Sequence, residues 1–369
     1  MNLYSHYLID GSPQDKTPAE LLNAISERQF SGAELFENTA EMLVDESLDP
    51  AIESYTWDSR RVDEYLSMVR SCHRKFPLPY AEVVSRCRVA EALLDAIWCK
   101  GHFRLEDLAL KATWKWNGGP VGANAAFYQS VRASVDYMDA LDVRLSSYKV
   151  QDATQCDISM KAQLSRRIEV VDDELLEPSD TRVRMSPQRA CPSIVVPDSS
   201  SWLVYIPFDT SDYRLGGSLL AQSQGVGGGV SVQVDDPDYF MDCYEVVREL
   251  VEDGIVMSGV TVSSGGLIAA VDKLCSGGLG ANIDISGIVR AFEEQDIVKV
   301  LFSEVPGVVI QIKDMDYDYV DAELLLQDVA FFPLGHPAVK SSAVRIKNSA
   351  RSGIQTILDA LMQNAEGED

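Results

Sequence analysis

Apolar residues recur along this chain with two alternating periods. Val83, Val84, Cys87, Ala90, Leu94 and Ile97 fall at three- and four-residue steps, the period of a helix with one buried face. The pattern predicts a helix over 80–99, after Pro79 and with Gly101 as its C-cap. Residues 108–116 read as a strand that carries Trp114 and Trp116 on one side. Gly118-Gly119-Pro120 breaks it, and a helix is expected over 123–141. Segments 143–148, 157–165, 202–206, 281–285, 308–312 and 329–334 read as strands. Helices are expected over 237–254, which starts at Pro237 and ends at Gly254, near 319–326 and near 354–362. Strands mix with helices without a strict β-α repeat, which favours an α+β architecture over a doubly wound sheet.

The first 75 residues read as a helical extension. Thr17-Pro18-Ala19-Glu20 is a capping box with proline at the first helical position, followed by Leu21, Leu22 and Ile25. Ser31-Gly32-Ala33-Glu34 repeats the box, and a third helix is expected over 58–72. Proline-rich 172–200 marks a boundary. The resulting division is 1–75, 76–198, 199–345 and a C-terminal helix and tail over 346–369.

One stretch combines strand, turn and helix signals. Ile255-Val256-Met257 is apolar and strand-like, Ser263-Ser264-Gly265-Gly266 is a turn, and an amphipathic run follows from Leu267 to Leu274. A serine-glycine turn that opens a helix presents backbone N–H groups to an anion. It serves equally as a tight turn that uses glycine for its backbone freedom.

Composition narrows the partners. Asp and Glu number 57 against 32 Lys and Arg, a formal charge of -25. Such a balance opposes nucleic acid and anionic membrane as main partners. No apolar run is long enough to span a bilayer, and no signal peptide is visible at the N-terminus. Seven cysteines, scattered and without a Cys-x-x-Cys pair, read as reduced thiols of a cytoplasmic protein. Four histidines, and only Cys72-His73 as a neighbouring pair, make a zinc site improbable.

Four motifs in order carry a resemblance. They are Tyr213-Arg214-Leu215-Gly216-Gly217-Ser218, then Ser258 to Leu267, then 277–285, then Leu301-Phe302-Ser303-Glu304-Val305-Pro306-Gly307. Upstream, Arg88-Val89-Ala90-Glu91-Ala92-Leu93 and Thr113-Trp114-Lys115-Trp116 fit the same pattern. Over residues 80–340 the chain resembles the phosphoribosylformylglycinamidine synthase family, in the second half of its synthetase region. The resemblance implies a two-domain unit of the aminoimidazole ribonucleotide synthetase type, in which a barrel-forming α+β domain precedes an α/β domain. It also implies purine biosynthesis, ATP or ADP as ligand, and ATP-dependent conversion of an amide to an amidine. In that chemistry magnesium held by carboxylates neutralises the phosphates.

The match departs at the residues that matter most. The family writes the central stretch Gly-His-Asp-x-Ser-Asp-Gly-Gly. Val260 stands for the histidine, and Thr261 and Ser264 for the two aspartates. Hydroxyls are poor magnesium ligands, so magnesium is not expected there. The family's Gly-Lys-Asp loop falls at 148–154, where only Lys149 matches; an alternative alignment sets Asp157-Ile158-Ser159-Met160 on it. By resemblance, Lys149, Arg214, Gly216, Gly217, Ser263, Ser264, Gly265 and Gly266 are the nucleotide- or phosphate-binding candidates, and Glu304 is the metal candidate. Glu304 reads alternatively as an acceptor for turn N–H groups, and Lys149 as a solvated strand-end lysine. No glutaminase domain is visible, so ammonia would come from elsewhere. Two functions remain open: a partial or catalytically degenerate synthetase unit, and a non-catalytic dimerisation or scaffold module with at most a structural nucleotide or anion site. The expected partner is a second copy, joined through the strands of 105–165, or a separate catalytic synthetase half.

Overall fold

The computed structural model describes residues 3–29, 39–41, 59–71, 75–166, 183–227, 229–294 and 296–347. The expected helix near 354–362, the second capping box at 31–34 and the Cys72-His73 pair lie outside the described residues.

The N-terminal segment is mixed, which corrects the expectation of a helical extension. Strands β1 (Tyr7–Ile9) and β2 (Ser12–Pro13) form a hairpin, and β3 (Thr39–Glu41) pairs parallel to β1. The strands are too short to show a period of two in the sequence. Helix α1 (Pro18–Ala24) has the capping box as expected: Thr17 accepts from the Glu20 amide, and Glu20 accepts from the Thr17 amide. Tyr7, Ile9, Leu22 and Ile25 are buried in the main core, and the Leu145 amide donates to Ile25. Helix α2 (Ser59–Arg70) adds Val62, Tyr65 and Leu66 to that core.

The central unit is a helix pair on a three-stranded sheet. Helices α3 (Ala81–Ile97) and α4 (Ala123–Ala140) pack together beneath strands β5 (Leu108–Trp116), β6 (Arg144–Asp152) and β7 (Asp157–Leu164). Strand β5 is central, parallel to β6 and antiparallel to β7. Alternation along β5 buries Leu110, Ala112, Trp114 and Trp116 against the helices. The indole of Trp114 donates to Ser130, at 3.0 Å, and that of Trp116 to the Ala123 carbonyl, at 2.7 Å. Both rings are core, each with its polar N–H satisfied. A ribbon of β4 (Cys99–His102) and β8 (Arg184–Arg189) follows α3.

The second unit is a six-stranded sheet. Its strands are β9 (Trp202–Pro207), β10 (Val256–Val262), β11 (Gly280–Asp284), β12 (Gly307–Ile312), β13 (Phe332–Ala338) and β14 (Val344–Lys347), in the order β10-β12-β9-β13-β11-β14. Pairings are antiparallel except β11 with β14. Helices α5 (Leu219–Gln224), α6 (Pro237–Glu252), α7 (Gly266–Leu274), α8 (Ser286–Ala291), α9 (Ile297–Phe302) and α10 (Tyr317–Leu326) complete the chain. Helix α3 touches α6, β7 and β10, so it joins the two sheets. The arrangement is an α+β fold, as the sequence implies.

Candidate functional site

Strand β10 runs further than its apolar residues suggest, through Ser258 and Gly259 to Val262. Gly259 is required there: a Cβ would collide with the Trp98 ring at the end of α3. The strand is thereby drawn against α3, and the hydroxyls that follow meet that helix. Thr261 donates to the Asp95 carboxylate at 2.8 Å and accepts from the Trp98 indole at 2.9 Å. Ser263 donates to Glu91 at 2.8 Å. Glu91 pairs with Arg88, which also reaches the Ser264 hydroxyl at 3.5 Å. Burial pulls the Arg88 pKa down, but the adjacent Glu91 carboxylate outweighs it and leaves the guanidinium above its ordinary value.

The glycines of the turn are committed internally. Gly265 and Gly266 both adopt positive φ, at 93° and 74°, a region that favours glycine. The Gly265 amide donates to Glu304 at 2.9 Å, and the Gly266 amide to the Ser263 carbonyl at 3.0 Å. Glu304, only 8 % exposed, also accepts from the Leu219 amide at 3.1 Å. A carboxylate of the chain itself therefore occupies the start of α7, where an anion would sit, and it ties α7 to α5. Glu304 is the acceptor that shapes both turns.

Arg214, Gly216 and Gly217 lie in the loop before α5 and do not line the cleft described below. Arg214 pairs with Asp212 at 2.7 Å. The Gly216 amide bonds the Val230 carbonyl, and that of Gly217 bonds Gly227. A Cβ at Gly216 would strike the backbone of Gly229 and Val230; at Gly217, with φ 69°, it would strike Tyr80. These glycines are required by close packing. Lys149 lies within β6, opposite Thr113, exposed and outside the lining of the cleft described below.

A cleft of about 880 Å³ opens between β5, the 153–157 turn, α2 and α7. Ser263, Ser264, Thr261, Arg88 and Glu91 form one wall. Lys115, Asp157, Arg70, Asp272 and Lys273 stand around the others. Arg70 and Asp272 pair, with Arg70 Nε 3.0 Å from the carboxylate. Arg88 Nε is buried with no hydrogen-bond partner among the described residues. Among those residues no three His, Cys, Asp or Glu side chains are placed to hold a metal ion. The donor set does not fit magnesium: Thr261 and Ser263 already donate to carboxylates, and Ser264 accepts from a guanidinium. Sequence reasoning missed Glu91, Asp95, Arg88 and Lys115 as site residues, although the helix motif and the tryptophan strand that carry Arg88, Glu91 and Lys115 were legible. No described helix is long and apolar enough to cross a membrane.

Comparison with known proteins agrees with this architecture. Residues 210–316 match the AIR synthase related protein, C-terminal domain. The human phosphoribosylformylglycinamidine synthase is 24% identical over 282 residues, 74% of this chain and 20% of that protein. The probable chloroplastic/mitochondrial enzyme of Arabidopsis thaliana is 28% identical over 265 residues, 69% of this chain and 17% of that protein. The chain thus spans about a fifth of the length of these curated relatives. Among solved structures, Thermotoga maritima PurL complexed with FGAR aligns with a TM-score of 0.53 and 12% identity, over 74% of this chain and 42% of that one. The same protein complexed with AMPPCP aligns at 0.50 and 11%, over 73% and 40%. The chain is AIR synthase-like and related to phosphoribosylformylglycinamidine synthase.

Proposed function

We propose that this chain is a catalytically degenerate synthetase unit of the purine-biosynthetic type, and that it serves as one half of an assembly whose other half carries the chemistry. The carrying observation is that Thr261 bonds the Asp95 carboxylate and Ser264 meets the Arg88 guanidinium. Hydroxyls stand where magnesium-dependent phosphoryl chemistry needs carboxylates, and each is already hydrogen-bonded. Without the metal that neutralises developing phosphate charge, such chemistry loses its main electrostatic support.

The cleft retains the features of a phosphate-ligand site. Its volume, about 880 Å³, lies in the range of small-molecule pockets. Lys115, Lys273 and the unsatisfied Nε of Arg88 are the cationic groups for a phosphorylated ligand. PurL of Thermotoga maritima has been solved with ATP and with AMPPCP, which supports ADP or ATP as the first ligands to test. Binding is expected without divalent metal.

Calorimetry with ADP and with ATP, each with magnesium and with EDTA, tests the reading. The expected result is binding of equal affinity in both buffers, with no ATP hydrolysis and no amidine product from added ammonia. Magnesium-dependent turnover above a heat-killed control overturns the degenerate assignment. Absence of any nucleotide binding removes the ligand-holding role.

A further inference from the structure

Helix α10 is apolar on two faces. Val320 and Leu324 turn into the core and are fully buried. Tyr317 packs its ring on Trp202 of β9, with centroids 5.1 Å apart. Met315, just before the helix, and Tyr319, Ala322 and Leu326 within it recur at steps of four, three and four residues, so they share the other face. That face is bare: Met315 is 81% exposed, Tyr319 47% and Leu326 77%, and Leu325 beside them is 72% exposed. Of the eight large apolar side chains exposed among the described residues, these are four. A helix that is apolar all round is ordinarily covered all round, and an apolar patch with a polar rim marks a contact site. The rim here is acidic. Asp316, Asp318 and Glu323 flank the stripe, all in the same segment. Glu323 most of all, with Asp253 and Glu249 of α6 adding to it, raises the Tyr319 phenol above its ordinary pKa. Lys313 is the cation at the N-terminal end of the stripe.

We propose that this face of α10 docks a helix of a partner protein, one with apolar residues at three- and four-residue steps and lysine or arginine beside them. Charge complementarity selects the occupant. The apolar stripe supplies the seat for an amphipathic helix, and the acids on both sides of it favour a cationic border. A second copy joined stripe to stripe would set Glu323 and Asp318 against the same acids, in two chains that each carry a net charge of -25. The segment 348–369 of the chain has apolar residues at helical steps, Ile354, Ile357, Leu358 and Leu361, but one cation, Arg351, against four acids. It lies outside the described residues, and its charge matches the rim poorly. The same rim repels nucleic acid and anionic membrane. Neither Met315 nor any residue of α10 lines the cleft, so the inference goes beyond the ligand reading and does not depend on it.

The probe is a fluorescein-labelled peptide of leucine and lysine, about 18 residues long so that it can hold a helix, with leucine at three- and four-residue steps. Two controls accompany it: the same composition in scrambled order, and glutamate in place of every lysine. Fluorescence anisotropy with the full chain is expected to show binding at least about tenfold tighter for the probe than for either control. Met315→Ser/Leu326→Ser should weaken it at least about tenfold. Asp318→Asn/Glu323→Gln should weaken it about threefold and flatten its salt dependence. All four side chains are exposed or at the rim, and far-UV circular dichroism with thermal melts verifies the folds. In a separate variant with p-benzoylphenylalanine in place of Leu326, irradiation is expected to join the chain to the probe. Equal affinity for the scrambled peptide, binding that survives Met315→Ser/Leu326→Ser, or photo-joining to a second copy or to residues 348–369 instead of the probe overturns the proposal. Nucleotide affinity is expected to stay within about twofold of wild type in every variant. Lost peptide binding with intact nucleotide binding separates this face from the cleft, and a wild-type chain that takes the probe but no nucleotide removes the ligand reading alone.

Discussion

Two acidic regions of the molecule treat their carboxylates in opposite ways. Along the α3–β10 wall, Asp95 meets a hydroxyl and Glu91 meets a hydroxyl and one guanidinium. Where α6 meets β4, Glu252 accepts from His102 at 2.6 Å and from Arg104 at 3.0 Å, and Arg248 approaches at 3.6 Å. Arg104 reaches Glu245 and Glu249 as well. Arg248 is fully buried, bonds the carbonyls of Ile97 and Gly101, and lies over the Phe103 ring. Burial opposes the charge of Glu252, but its bonds to His102 and Arg104 outweigh that and hold its pKa below the ordinary value. Asp95 shifts the other way, because crowding by protein atoms outweighs the Thr261 bond. The α6 cluster is a clamp in which two arginines and a histidine meet three carboxylates. The α3 wall balances its acids less fully: Glu91 meets the one guanidinium of Arg88, and Asp95 meets the Thr261 hydroxyl.

Glu304 is the sharpest place to break the contrast, because it is an acid that belongs to neither pattern. It is buried and accepts from the backbone amides of Leu219 and Gly265. Glu304→Ala leaves the amides of Leu219 and Gly265 without an acceptor, and each orphaned buried donor costs about 1–3 kcal/mol. Urea unfolding should show a loss of about 3–5 kcal/mol. Glu304→Gln keeps an acceptor oxygen and should lose about 1–2 kcal/mol. If Glu304 served ligand rather than fold, both variants would unfold like wild type and differ only in nucleotide titrations.

The clamp gives the next largest effect. Glu252→Gln removes a charge from a network that retains Glu245 and Glu249, so a loss of about 1 kcal/mol at neutral pH is expected. The sign of its pH dependence follows from the lowered pKa. The stabilisation is present above the ordinary glutamate range, about 4.3, and is lost as pH falls through the lower folded-state value. Wild type and variant should therefore converge in thermal melts below that range. A difference that persists into strong acid would assign the effect to packing instead.

The sequence made the frame legible where order is local. The capping box of α1, the tryptophan strand β5, helix α4 and the Pro237 start of α6 all depend on neighbours within a few residues. Strand β10 was read too short because Ser258 and Gly259 are weak strand formers. Only the distant Trp98 explains why glycine must stand at 259. The same holds for the site. Val260, Thr261 and Ser264 revealed what was missing from the motif, whereas the side chains that meet the two hydroxyls lie 166 and 176 residues upstream, as the Thr261–Asp95 and Ser264–Arg88 contacts show. Glu304 was open between metal and turn until its two amides were placed. Lys149 was matched by motif, but pairing put it on the outer sheet face.

Asp95 gives the smallest effect and the most direct reading of the α3 wall. Its carboxylate borders a crevice of about 680 Å³ between α3, β7 and β8, so protein atoms crowd it while water still reaches it. Crowding raises its pKa; access to water screens the shift and limits its energetic weight to a few tenths of a kcal/mol. A raised carboxylate contributes stability below the unfolded-state value, about 3.9, and loses it as pH rises through the folded-state value. Asp95→Asn removes that neutral-pH penalty and keeps an oxygen to accept from Thr261. The variant should melt slightly higher than wild type at pH 7 and equal to it near pH 3, the reverse of the Glu252 behaviour. A lower melting temperature at pH 7 would mean that the Asp95 charge is balanced by a cation, with Arg189 and Lys273 the nearest sources of opposing charge, and the wall would then be a second clamp rather than the remnant of a site.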